Sequence, residues 1–206
     1  TAAALRGMGF SSRMIDRFFR PLVGGIQLDP TLSTSRRMFD VIFRTLADGD
    51  SAVPAGGMGR ITEQLASRLT RTTVHLDTPV ESVESGRLVL RGGRSITAKN
   101  IIVATEGPVA SRLLGLPTVG SRSAGCVYFA ADVAPVDGAY VILDGHGHGP
   151  VYNVAVMSHV SPAYAPTGKH LVAAALPGTV EGDLESAARR QLRSWWGPQV
   201  DNWRHL

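Results

Sequence analysis

The hydrophobic period of the chain changes near Leu69, and that change limits the fold to helices combined with sheet. Before it, apolar residues recur at helical spacing: Met14, Ile15, Phe18 and Phe19, then Met38, Phe39, Ile42, Phe43 and Leu46, then Ile61, Leu65 and Leu69. After it they alternate in short runs, Val74 and Leu76, Val80 and Val83, Leu88 and Leu90, then Ile96, with turns at Ser85-Gly86 and Gly92-Gly93. An α+β fold follows, in which a mixed sheet is flanked by helices.

Local signals set the expected elements. Residues 1–9 read as small and flexible, and Ser11 or Ser12 caps a helix through Phe19 that Arg20-Pro21 ends. Residues 22–30 read as a glycine-broken apolar loop, and a second helix begins after Ser33 or Thr34 and closes at Gly49-Asp50. Three glycines in Pro54-Ala-Gly-Gly-Met-Gly-Arg60 then feed a third helix, a geometry that suits close approach of backbone to a ligand. Their spacing is not G-x-G-x-x-G, so an ordinary turn and helix cap is the competing reading. The run Ile101-Ile-Val-Ala104 is continuously apolar, as in a strand covered on both faces, and a short helix through Leu114 follows it.

Beyond Gly125 four longer runs, at 126–130, 140–143, 151–156 and 170–175, read as one sheet. A last helix, from about residue 181 to 196, aligns Leu184, Ala188, Leu192 and Trp195 on one stripe and sets Trp195-Trp196 as a lid on that sheet. The expected organisation is therefore 1–52, helical; 53–116, glycine turn, helix, meander and strand; and 117–206, sheet with its helix.

Composition narrows the function classes. With 206 residues and 44% hydrophobic content the chain can bury a sizeable core. An excess of only four positive charges, scattered as arginine without interleaved aromatics, argues against nucleic acid as a partner. A single cysteine, Cys126, excludes an internal disulfide and points to a reducing, intracellular compartment, cytoplasmic or plastid-like. No apolar run reaches the roughly 20 residues of a membrane span, so the chain reads as not transmembrane. Peripheral membrane contact is one reading of the apolar segments 18–32 and 38–46, and core is the other. The start at Thr1 without Met suggests a piece of a longer chain.

No catalytic acid-base pair emerges. Asp48, Asp50, Asp132, Asp137 and Asp144 flank turns, and Cys126, inside an apolar strand, reads as buried and structural. His146 and His148 read as a surface hairpin rather than a metal site, since no third ligand can be named.

Three motifs in order, Pro54-Ala-Gly-Gly-Met-Gly-Arg60, Asp77-Thr-Pro-Val-Glu-Ser-Val83 and Ile101-Ile-Val-Ala-Thr-Glu-Gly-Pro108, resemble the flavin-containing amine oxidase superfamily. Ala165-Pro-Thr-Gly168 is similar to a segment of its phytoene desaturase-like branch. The resemblance implies an FAD-dependent oxidoreductase exchanging hydride with a small hydrophobic, isoprenoid-type substrate. In it, residues 53–116 belong to the FAD-binding, Rossmann-like side and the rest to a substrate-binding domain. It implies Gly56, Gly57, Val80, Thr105 and Pro108 as cofactor contacts and Met58, Arg60, Cys126 and Tyr128 as substrate contacts.

Two departures accompany the likeness. The family's N-terminal G-x-G-x-x-G and C-terminal Gly-Asp motifs are not in this sequence, so FAD would belong to a longer parent, and a flavin-free binding or assembly module is the alternative. A glycine or cysteine of Ser123-Ala-Gly-Cys-Val-Tyr-Phe129 falls near the lysine that amine oxidases use, which points away from amine oxidation.

Overall fold

The computed structural model describes residues 1–178 and 181–206. It divides into two compact units, one of Thr1–Leu65 with Arg122–Leu206 and one of Ala66–Ser121. The fold is α+β.

The larger unit opens with α1 (Ala2–Gly7) in the stretch expected to be flexible. The reason is burial: Leu5 is fully enclosed, and the Thr1 ammonium and hydroxyl both donate to the Thr34 carbonyl, at 2.6 and 2.7 Å. Next, α2 (Ser12–Met14), capped by Ser11 Oγ accepting the Met14 N–H at 3.2 Å, passes directly into a π-helix, Ile15–Gly24, that contains Pro21. The expected stop at Arg20-Pro21 is therefore corrected. Wider π-turns relieve the clash between a proline ring and the carbonyl of the preceding turn, and Ile15, Phe19 and Val23 gain full burial. Phe19 is the hub of this cluster, meeting Phe10, Phe18 and Phe39 edge-on with ring centroids 4.9, 5.1 and 6.0 Å away.

Helix α3 (Arg36–Asp48) is capped by Ser35, one residue later than Thr34 and two later than Ser33. Those two side chains are occupied elsewhere. Both hydroxyls donate to Oδ2 of the buried Asp29, which also accepts the Thr34 N–H, while Oδ1 accepts the Thr31 N–H and hydroxyl. Arg122, just before the sheet begins, places Nη1 3.1 Å from Asp29 Oδ1. Burial alone would raise the Asp29 carboxyl, but the Thr34, Thr31 and Ser33 donors outweigh it and hold the group well below the usual carboxylate range. The loop so pinned carries Leu28 and Leu32 at φ of 50° and 54°. Bulky side chains there cost about 1–2 kcal/mol each.

After α4 (Gly59–Ser67) come the strands of the smaller unit, β1 (Val80–Glu84), β2 (Arg87–Leu90) and β3 (Ser95–Thr97), an antiparallel meander in that order, followed by α5 (Gly107–Leu114). The doubly covered strand expected at 101–104 does not form. Ile102 is 91% exposed, and no strand among the described residues pairs with the segment, so its backbone has no ladder to join.

The larger unit then supplies β4 (Ala124–Ala131), β5 (Val141–Leu143), β6 (Asn153–Val156), α6 (Met157–Val160), a 3-10 turn at Pro162–Tyr164, β7 (His170–Pro177), α7 (Leu184–Trp196) and β8 (Arg204–His205). These five strands form one antiparallel sheet in the order β5-β6-β7-β4-β8. Alternation sorts its side chains. Val127, Phe129 and Ala131 of β4 and Val172, Ala174 and Leu176 of β7 are buried in one cluster with Ala188 and Leu192 of α7, and Trp195 and Trp196 pack against it. Gln191 of α7 bonds both the N–H and the carbonyl of Val151, at 2.8 and 2.9 Å, and Oδ2 of buried Asp144 at 3.1 Å, fixing the hairpin between β5 and β6.

Candidate functional site

With one face of the five-stranded sheet closed by α7, the other is the more open and holds Cys126 and Tyr128. Cross-strand partners share a face. The register places Cys126 beside Ala175, Tyr128 beside Ala173 and Ala130 beside Leu171, with Ala155 of β6 next to Ala173 and Arg204 of β8 next to Ala130. This face is a shelf of small residues bounded by larger ones, and its alanines are half-buried. The two residues expected to meet substrate from this strand, Cys126 and Tyr128, stand side by side on it. Cys126 is exposed, which corrects its reading as buried: β4 alternation turns it away from α7. Hydrogen bonding and charge interaction with Cys126, with burial adding to them, push the Tyr128 hydroxyl above its ordinary value. Among the described residues the strand positions of this face hold no lysine.

At its β5–β6 end the face is approached by the π-helix. Asn153 Nδ2 donates to Pro21 O at 3.4 Å, and a β-carbon on Gly25 would lie 2.7 Å from that nitrogen. Near the β4–β8 edge lies a cavity of about 430 Å³, floored by Ala130 and Leu171 and walled by Tyr164, Pro166, Lys169 and Arg204. Tyr164 has a second task, because its hydroxyl donates to Pro54 O at 2.9 Å while Ser161 Oγ donates to Ala55 O at 3.2 Å. These two bonds hold the glycine turn. Within it the Gly57 N–H donates to Pro54 O at 3.0 Å, and Gly57 has φ of 97°, a conformation that favours glycine. A β-carbon on Gly56 would press on Arg60 Nε at 2.8 Å, and Arg60 itself pairs with Glu63. Met58 is 59% exposed at the turn's tip. Gly56, Gly57, Met58 and Arg60 are thus one local group.

Val80, Thr105 and Pro108 lie in the smaller unit. Arg91 N–H donates to Pro79 O at 2.9 Å, so Val80 and Leu90 form a non-hydrogen-bonded pair and the Val80 N–H and C=O turn to the outer edge of β1. An adenine edge offers matching acceptor and donor groups. Thr105 is exposed and Pro108 lies in the first turn of α5. The outward Val80 backbone groups thus leave one donor and one acceptor outside the β1–β2 ladder.

The flavin containing amine oxidoreductase family matches residues 1–205. The chain belongs to that family. Among solved structures, the chain is similar to an oxidoreductase from Methanosarcina mazei, with 17% identity and a TM-score of 0.75, covering 98% of this chain and 53% of that one. It is also similar to reduced UDP-galactopyranose mutase, with 13% identity and a TM-score of 0.61, covering 90% and 50% respectively. At such identities these likenesses show the fold alone. The chain spans about half the length of each. Curated proteins gave no match.

Among the described residues no helix is long and apolar enough to cross a membrane, and no group of His, Cys, Asp and Glu is suited to a metal. His146 and His148 are exposed, with ring centroids 6.2 Å apart. Sequence reasoning missed Tyr164, Asn153, Arg204 and the buried Asp29. Only Asp29 carried a signal: Asp29-Pro-Thr31 with Ser33 and Thr34 is an aspartate followed by the hydroxyl residues that close turns on it. Exposure of Cys126 gives a direct test of the face. A thiol reagent should modify Cys126 in the native protein several-fold more slowly when an apolar ligand is present, and an unchanged rate would place the ligand elsewhere.

Proposed function

We propose that this chain forms the substrate-binding part of an FAD-dependent oxidoreductase that exchanges hydride with a hydrophobic, isoprenoid-type substrate, as in the phytoene desaturase-like branch. One observation carries the reading: the exposed sheet face is a small-residue shelf with Cys126 and Tyr128 as its reactive side chains and, among the described residues, no lysine at its strand positions. Bound FAD would supply the hydride acceptor or donor, a chemistry that asks the protein for positioning and exclusion of water more than for an acid or base. The alanines let a flat or extended apolar substrate lie close to the strands, while Tyr128, Leu171 and the π-helix bound it. Gly56 and Gly57 give the flavin or substrate a close backbone approach, with Met58 and Arg60 beside them. Val80, Thr105 and Pro108, all within the Ala66–Ser121 unit, would be the FAD contacts of that unit.

The test is the absorption spectrum of the protein expressed from its complete gene and purified without denaturant. A flavin band at about 450 nm, bleached by the apolar substrate, is the expected result. Colourless protein that takes up no FAD on reconstitution would support a flavin-free binding module instead.

A further inference from the structure

The cavity beside β8 has a chemistry that an apolar substrate alone does not use. Its floor, Ala130 and Leu171, continues the alanine shelf, so a molecule lying on the shelf reaches it without crossing a polar barrier. Its walls hold two cations. Lys169 is paired with Asp132, and that partner keeps the Asp132 carboxyl below its ordinary range, so the pair is neutral overall. Arg204 is different. Facing Ala130 across the β4–β8 ladder, it shares the shelf's side of the sheet and makes no ion pair among the described residues. The other titratable groups facing the cavity are His170, whose Nδ1 lies 3.4 Å from Ser158 Oγ, and Tyr164, whose hydroxyl is committed to Pro54.

We propose, resting on the function proposed above, that the substrate carries a carboxylate at one end and that this end enters the cavity and pairs with Arg204. A guanidinium presents two parallel N–H donors that match a carboxylate. The choice of a monoanion comes from the charge count: with Lys169 engaged by Asp132, Arg204 offers one positive charge, which a carboxylate balances and a dianionic phosphate exceeds. A volume of about 430 Å³ is ample for the end group and the chain next to it.

The experiment measures equilibrium binding of three twelve-carbon probes to the full-length protein below their micelle concentrations: dodecanoate, dodecanol and dodecyl phosphate. Dodecanoate should bind roughly tenfold more tightly than dodecanol, with the phosphate between them. Arg204→Gln should remove that advantage and leave dodecanol within twofold, while Arg204→Lys keeps part of it. Equal binding of dodecanoate and dodecanol to the unaltered protein leaves the apolar site standing and overturns the carboxylate end. Tighter binding of the phosphate than of dodecanoate overturns it too. An equal loss for all probes in Arg204→Gln, with an unchanged melting temperature, would show a packing role and likewise overturn it. If no probe binds, the proposed function fails and this inference with it.

Discussion

Asp29→Asn is expected to lower stability by about 3 kcal/mol, a fall of roughly 6–12 °C in Tm for a chain of this size. The substitution keeps the side chain's shape and puts an amide where five donors converge on two carboxylate oxygens. Its NH₂ then faces donors from Ser33 and Thr34 or from Thr31, and Arg122 loses its anionic partner. The same group makes the protein acid-sensitive. Its folded carboxyl titrates below the unfolded one, so its contribution is complete above about pH 5 and is lost as the pH falls through the unfolded value toward the folded one. In urea titrations the gap between parent and variant should therefore narrow by about 1 kcal/mol between pH 7 and pH 3. A gap below about 0.5 kcal/mol that ignores pH would show that the hydroxyl and backbone donors find water equally well.

Gly149→Ala should cost about as much, through a different cause. A β-carbon there would sit 2.1 Å from Gln191 Oε1, 2.4 Å from its Cδ and 3.0 Å from its Cγ. A free glutamine would swing aside at little cost. This one is held by bonds to Val151 and buried Asp144, and displacing it forfeits about 1 kcal/mol for each, near 3 kcal/mol in all. The mechanism predicts strong non-additivity: Gln191→Ala makes room for the methyl, so the double variant should be no less stable than Gln191→Ala alone. Chemical denaturation of the four proteins closes the cycle, and additive losses would mean that the alanine strains the backbone instead.

Much of the architecture could be read from periodicity, because a sheet with one face covered must alternate. Val127, Phe129 and Ala131 against Cys126, Tyr128 and Ala130 is that pattern, and it survives into the structure. The same alternation was enough to place Cys126 on the open face, but an apolar run reads as buried when the covering helix is not yet located. Proline at 21 misled because the rule against proline in helices assumes α-turns, and the helix here is of the wider π type. Residues 101–104 have the composition of a strand, yet a strand exists only where another backbone answers it. The glycine turn was legible as a turn. What it rests on was not, since Tyr164 and Ser161 lie more than a hundred residues away and nothing local marks them as its supports.

The larger unit is discontinuous, with Ala66–Ser121 inserted between its two parts. During synthesis its first 65 residues emerge with a small aromatic cluster of their own but no sheet, and the strands that complete the unit follow only after the insertion has been made. Folding of the two parts is therefore post-insertion, and its contacts span long sequence separations, which slows the search. Asp29 and Arg122 mark the seam, one in the first part and the other at the first residue after the insertion. A nascent chain arrested before Arg122 should accordingly be cleaved by protease in residues 1–65, and resistance should arise only after β4 and β7 have both left the ribosome.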